Sequence, residues 1–69
     1  MRKLPVKEYE FELGQRVVRV SIFKGDRGYW GHWECQGLQE STEQWYPSIR
    51  DASYMIRQHA ELSLKETPK

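Results

Sequence analysis

The segment KEYEFEL, residues 7 to 13, alternates strictly, with Tyr9, Phe11 and Leu13 on one side and Glu8, Glu10 and Glu12 on the other. Successive side chains of an extended chain point to opposite faces, so this period of two marks a strand with one face buried and one in water. Gly14-Gln15 follows, with glycine first, as a two-residue type II′ hairpin turn requires. That turn sets Leu13 against Arg16, Phe11 against Val18 and Tyr9 against Val20. A second strand is expected from Arg16 to Lys24, ended by the turn GDRG, Gly25 to Gly28. With all four of those residues in the loop, Phe23 pairs with Trp30, Val20 with Trp33, Arg19 with Glu34 and Val18 with Cys35, in a third strand from Tyr29 to Gln36.

The two registers come from separate turns and agree. One face collects Tyr9, Phe11, Val18, Val20, Ile22, Trp33 and Cys35; the other carries Glu10, Arg19 and Glu34 side by side. A slip of one residue in either hairpin would scatter both sets. Trp33 and Cys35 therefore face the core, Gly31 leaves room on that side, and Trp30 and His32 point away. After Leu38 the run QESTEQ reads as a polar loop leading to Trp45, Tyr46 and Pro47. Ser48, three residues before Asp51, then has the position of a helix N-cap with a near capping-box partner. In that helix Ile49, Ala52, Ile56, Ala60 and Ser63 share one stripe, flanked by Met55 and His59, while Arg50, Tyr54, Arg57, Gln58 and Glu61 lie opposite. The stripe must cover the apolar face of the sheet. The expected fold is α+β in two layers: a three-stranded antiparallel meander with one C-terminal helix packed on one face, in the order β-β-β-α.

Sixty-nine residues make one small domain, 1–69, with an ordered core from about 7 to 64 and frayed polar ends. A chain of this length buries only about 60% of the surface its unfolded form exposes, so a partner that covers more surface would add stability. Eleven Lys and Arg stand against ten Asp and Glu, which lacks the basic excess of a protein held to nucleic acid by phosphate contacts. The single Cys35 cannot close an intramolecular disulfide, the start MRKLPVKEYE holds no apolar signal core, and no run is long enough to span a membrane. The expected setting is reducing and cytoplasmic.

The second sheet face, left open by a single helix, is the candidate site. Phe23 and Trp30 should meet there across the second hairpin, with His32, Arg19, Ser21, Lys24 and Arg27 nearby. Exposed aromatics in that number point to a contact surface, either a protein interface anchored by Trp and Phe or a platform on which single-stranded bases stack while Lys24 and Arg27 take phosphates. In a competing arrangement the 37–46 loop folds back and Trp45 and Tyr46 cover that face. A secondary interaction face is expected on the outer side of the helix at Arg50, Tyr54 and Arg57, and Arg2, Lys3 and Lys7 form a small basic cluster.

Catalytic and cofactor chemistry find no support in the residue pattern. Strand parity sends His32 and Cys35 to opposite faces, and no paired Cys or His motif with metal-ligand spacing occurs. His59 has no Ser, Cys or Asp placed to pair with it, Cys35 sits on the covered face, and neither phosphate-cradling glycine motif is present. No enzyme activity, cofactor, metal, membrane or small-molecule substrate is expected. The order strand, strand, DRGYWGHWECQGL, polar loop and a helix beginning PSIRDASYMI is similar to the small β-β-β-α cores of HicB-like antitoxins, a likeness of topology and of the Gly28-Tyr29 step. That resemblance implies a core that works by binding another protein. The expectation is a small non-enzymatic regulatory or accessory protein whose partner is another protein or a second copy of itself, with a single-stranded nucleic-acid module as the alternative.

Overall fold

The computed structural model describes residues 4–42 and 44–66. The order is β1 (Lys7–Leu13), β2 (Arg16–Gly25), β3 (Gly28–Cys35), β4 (Leu38–Ser41) and α1 (Ile49–Glu66). The strands form one antiparallel meander, β1-β2-β3-β4, with the helix on one side. The expected ends of the chain and the Arg2 and Lys3 part of the basic cluster lie outside the described residues.

Both hairpin registers are as the turns imply. Tyr9 faces Val20, Glu10 faces Arg19, Phe11 faces Val18 and Leu13 faces Arg16. Across the next hairpin Phe23 faces Trp30, Val20 faces Trp33 and Arg19 faces Glu34. Gly14 has φ +66°, and among the described residues the one non-glycine with positive φ is Gln36. Gln15 is therefore on the negative side, which makes the first turn type II′ rather than I′. The second loop is shorter than the expected four residues: Gly25 pairs with Gly28, leaving Asp26 and Arg27 at the tip. Moving both glycines into the strands shortens the loop symmetrically, so the register is unchanged.

The meander has a fourth strand where the sequence reads as loop. Gln36 and Gly37 take φ of 51° and 89°, the two positive values of a type I′ hairpin turn, and Cys35 pairs with Leu38 and Trp33 with Glu40. All four residues of β4 are exposed. An edge strand open to water on both faces carries no alternation, so periodicity cannot report it. Beyond it, Thr42 and Gly31 exchange two bonds: the Thr42 N–H donates to the Gly31 carbonyl at 2.8 Å, and the Gly31 N–H to Thr42 Oγ1 at 3.0 Å. The chain then crosses back to β3, where Tyr46 and Tyr29 bond reciprocally through their backbones at 2.8 Å.

The helix opens as its sequence requires. Ser48 Oγ accepts the Asp51 N–H at 3.1 Å, with Asp51 in the first turn and Lys65 in the last, each complementing the helix dipole. Its covered row is Ala52, Ile56, Ala60 and Leu64, four residues apart, each 5% exposed or less. Leu64 thus takes the place expected for Ser63, because the row that meets the sheet follows a spacing of four throughout. From the sheet, Val18, Val20, Ile22, Trp33 and Cys35 complete the core, with Tyr9, Phe11, Leu13, Tyr29, Tyr46 and Ile49 around its rim. Gly31 is buried beneath Ile56: a Cβ there would stand 3.0 Å from Ile56 Cβ.

Four strands span roughly 15 Å between their outer axes, against a helix about 10 Å across. The helix lies over β2 and β3, and among the described residues no helix or strand packs on the opposite face of the sheet.

Candidate functional site: the open sheet face

Strand parity assigns this face without ambiguity. Glu8, Glu10 and Glu12 come from β1, Val17, Arg19, Ser21 and Phe23 from β2, Trp30, His32 and Glu34 from β3, and Gln39 and Ser41 from β4. Reading across the strands, the residues fall into rows. Phe23 and Trp30 form an aromatic end, Glu8, Ser21, His32 and Ser41 a polar middle, and Glu10, Arg19, Glu34 and Gln39 a charged row.

The Phe23 and Trp30 rings are stacked, with centroids 4.5 Å apart and planes 16° from parallel. That separation is close to the spacing of the paired strands beneath them, about 4.8 Å, so the rings stand side by side on the sheet and each covers one face of the other. Both are half-buried. In the middle row His32 Nδ1 and Ser41 Oγ are 2.9 Å apart, tying β3 to β4. In the charged row Arg19 Nε donates to Glu10 Oε2 at 3.1 Å. Glu34 faces Arg19 in register, yet the guanidinium turns to Glu10 alone among the described residues.

The structure gathers Phe23, Trp30, His32 and Arg19 on this face and separates the other two expected members. Lys24 pairs with Tyr29, whose ring packs on the core, so Lys24 belongs to the helix side of the sheet. Arg27 sits at the exposed hairpin tip. The first part of the 37–46 segment extends the sheet as β4, and Tyr46 packs against the core on the helix side; because Tyr46 pairs with Tyr29, Trp45 falls opposite Trp30, at the aromatic end of the face. Trp45 is 41% exposed. Among the described residues no helix or strand lies over the aromatic pair.

The helix face is partly committed elsewhere. Tyr54 is 64% exposed and Arg50 is exposed, but Arg57 lies over the Phe11 ring at 4.7 Å and pairs with Glu61 one turn on at 3.2 Å. Tyr9, beside them, donates its hydroxyl to the Ser53 carbonyl at 3.3 Å, and burial pushes its pKa above the ordinary 10.0.

A network on the other flank of the helix was not legible in the sequence. Trp33 is 1% exposed and donates its indole Nε1–H to His59 Nδ1 at 3.0 Å. Glu40 Oε1 lies 3.6 Å from the same nitrogen and accepts the Ser63 hydroxyl at 3.1 Å. A neutral His59 accepting at Nδ1 carries its proton on Nε2. His59 thus serves the buried tryptophan at the edge of the core. The spacing of Trp33 and His59 in sequence carries no sign of this; only the register of β3 against α1 brings them together. A groove between β4 and α1, lined among others by Glu40, Tyr46, Met55, His59 and Leu62, runs past this network.

Among the described residues no group of three or more His, Cys, Asp or Glu could hold a metal ion, and Cys35 is buried. No helix among them is long and apolar enough to cross a membrane. Compared with protein-family models, curated proteins and solved structures, the chain has no significant match in any of the three. The likeness to HicB-like cores accordingly rests on strand order and the Gly28-Tyr29 step, and β4 adds a strand to that order.

Proposed function

We propose that the protein is a small non-enzymatic regulatory or accessory protein that acts by protein-protein contact through the open sheet face. The observation that carries this reading is the Phe23 and Trp30 stack, standing on a face that no helix or strand among the described residues covers. Large aromatic side chains held rigid by a neighbour lose little entropy when a partner packs on them, which is why Trp is prominent among interface anchors. Arg19, fixed by Glu10, supplies polar register two rows away. A cytoplasmic setting, where the unpaired Cys35 stays reduced, belongs to the same proposal.

The geometry favours a protein over single-stranded nucleic acid. Lys24, expected to take a phosphate, is on the other side of the sheet, and Glu8, Glu10 and Glu12 along β1 would repel phosphates at the edge of a stacking platform. The test uses the wild-type chain and Trp30→Ala as immobilised baits against the proteins of the source cell, with light scattering to report self-association. Proteins retained by wild type and lost on the variant support the reading. Retention that does not change, with no change in mass either, refutes it.

A further inference from the structure

The charges on the open face narrow its partner to one class. Four carboxylates, Glu8, Glu10, Glu12 and Glu34, share that face with one guanidinium, Arg19, and Glu10 neutralises it at 3.1 Å. Among the described residues Glu8, Glu12 and Glu34 have no cation at ion-pair distance. Among the described residues, Lys7 sits over the Tyr9 ring at 5.4 Å on the helix side, and Lys24 shares that side. Outside this face, the described residues number seven Lys and Arg against five Asp and Glu. Charge is segregated, with an acidic sheet face and a basic remainder.

Resting on the reading of the open face as a docking surface, we infer that its partner is a protein surface presenting lysine or arginine around an apolar knob. The apolar group packs on Phe23 and Trp30, and the cations reach the unpaired carboxylates of β1 and β3. Complementarity of this kind steers association and rejects the wrong partners. A phosphate backbone meets like charge along β1. A second copy docking the same face through a two-fold axis meets three unpaired carboxylates with three more.

The experiment uses the full chain with four probes: a twelve-residue peptide alternating lysine with leucine, its serine-for-lysine and glutamate-for-lysine counterparts, and a dT12 oligonucleotide. Binding is followed by fluorescence anisotropy and mapped by backbone amide shifts. The lysine peptide should bind at least tenfold more tightly than the serine peptide at low salt, shift the amides around Phe23, Trp30 and His32, and lose that advantage at high salt. The triple variant Glu8→Gln, Glu12→Gln, Glu34→Gln should abolish the preference, while Trp30→Ala should weaken both peptides. A preference that survives the triple variant, or tighter binding of the glutamate peptide or of dT12, overturns the inference. Serine and lysine peptides bound equally on the open face would overturn the cationic partner while leaving the docking surface standing. Shifts confined to the helix side would remove both.

Discussion

His59 is the residue whose role in the fold is most directly measurable. Trp33 is buried and its indole N–H has one acceptor, His59 Nδ1. His59→Ala removes that acceptor and should cost about 1–3 kcal/mol in urea unfolding, the usual penalty for a buried donor left unpaired. The Trp33 indole proton should move upfield in the same variant; an unmoved signal and unchanged midpoint would show that the bond is not formed in solution. Glycines give a second test at this scale. An alanine Cβ at Gly28, whose φ is +129°, would meet the Tyr46 carbonyl oxygen at 2.5 Å, and backbone cannot turn aside. At Gly31 it would meet Ile56 Cβ and Cγ1 and Ile22 Cδ1 at 3.0–3.3 Å, a clash that a few tenths of an ångström of movement between helix and sheet relieves. Gly31→Ala should therefore cost about 1–3 kcal/mol, as overpacking does, and Gly28→Ala more, measured by the same unfolding curves. Tyr9 adds a pH dependence: its pKa is raised chiefly by burial, so the folded state holds the proton more tightly. That contribution is fully present below pH 10 and is lost as pH rises through the higher folded value. Wild type should fall in stability above pH 10 more steeply than Tyr9→Phe, and parallel curves would contradict the assignment.

At the scale of elements, the hairpins were legible because each turn and each alternation constrained the other. Glu10, Arg19 and Glu34 fall in line only if both Gly14-Gln15 and GDRG set the registers they do. β4 was not legible, since Leu38, Gln39, Glu40 and Ser41 are all exposed and so carry no alternation of apolar and polar residues. Leu64 was missed in favour of Ser63 for a related reason: a stripe drawn from polarity averages over a turn, whereas packing on a flat sheet selects one row. β4 has its own test. Cys35 and Leu38 flank a two-residue turn and so form a hydrogen-bonded pair, which makes Trp33 with Glu40 the next such pair and leaves the Gln39 and Ser41 amides pointing outward. Amide exchange should be slow at Leu38, Glu40 and Thr42 and fast at Gln39 and Ser41. Uniformly fast exchange would reduce the segment to a loop.

For the whole molecule, one helix over four strands leaves a layer unfilled, and the account turns on what the open face is for. The sequence placed Trp30 and Phe23 there through strand parity, but placed Lys24 beside them by proximity in sequence, which parity forbids. Two tryptophans three residues apart on one strand are thus assigned opposite roles: Trp33 to the core, at 1% exposure, and Trp30 to a partner. The most direct measurement is the unfolding free energy of Trp30→Ala beside that of Trp33→Ala, with near-ultraviolet circular dichroism to confirm folding. Trp33→Ala should lose about 3–5 kcal/mol, the cost of emptying a packed core site, which a chain this small can scarcely survive. Trp30→Ala should lose only about 1–2 kcal/mol, the stacking on Phe23 and a partial burial, and remain folded. If Trp30→Ala unfolds as readily as Trp33→Ala, the aromatic pair is part of the core and the open face is not a docking surface.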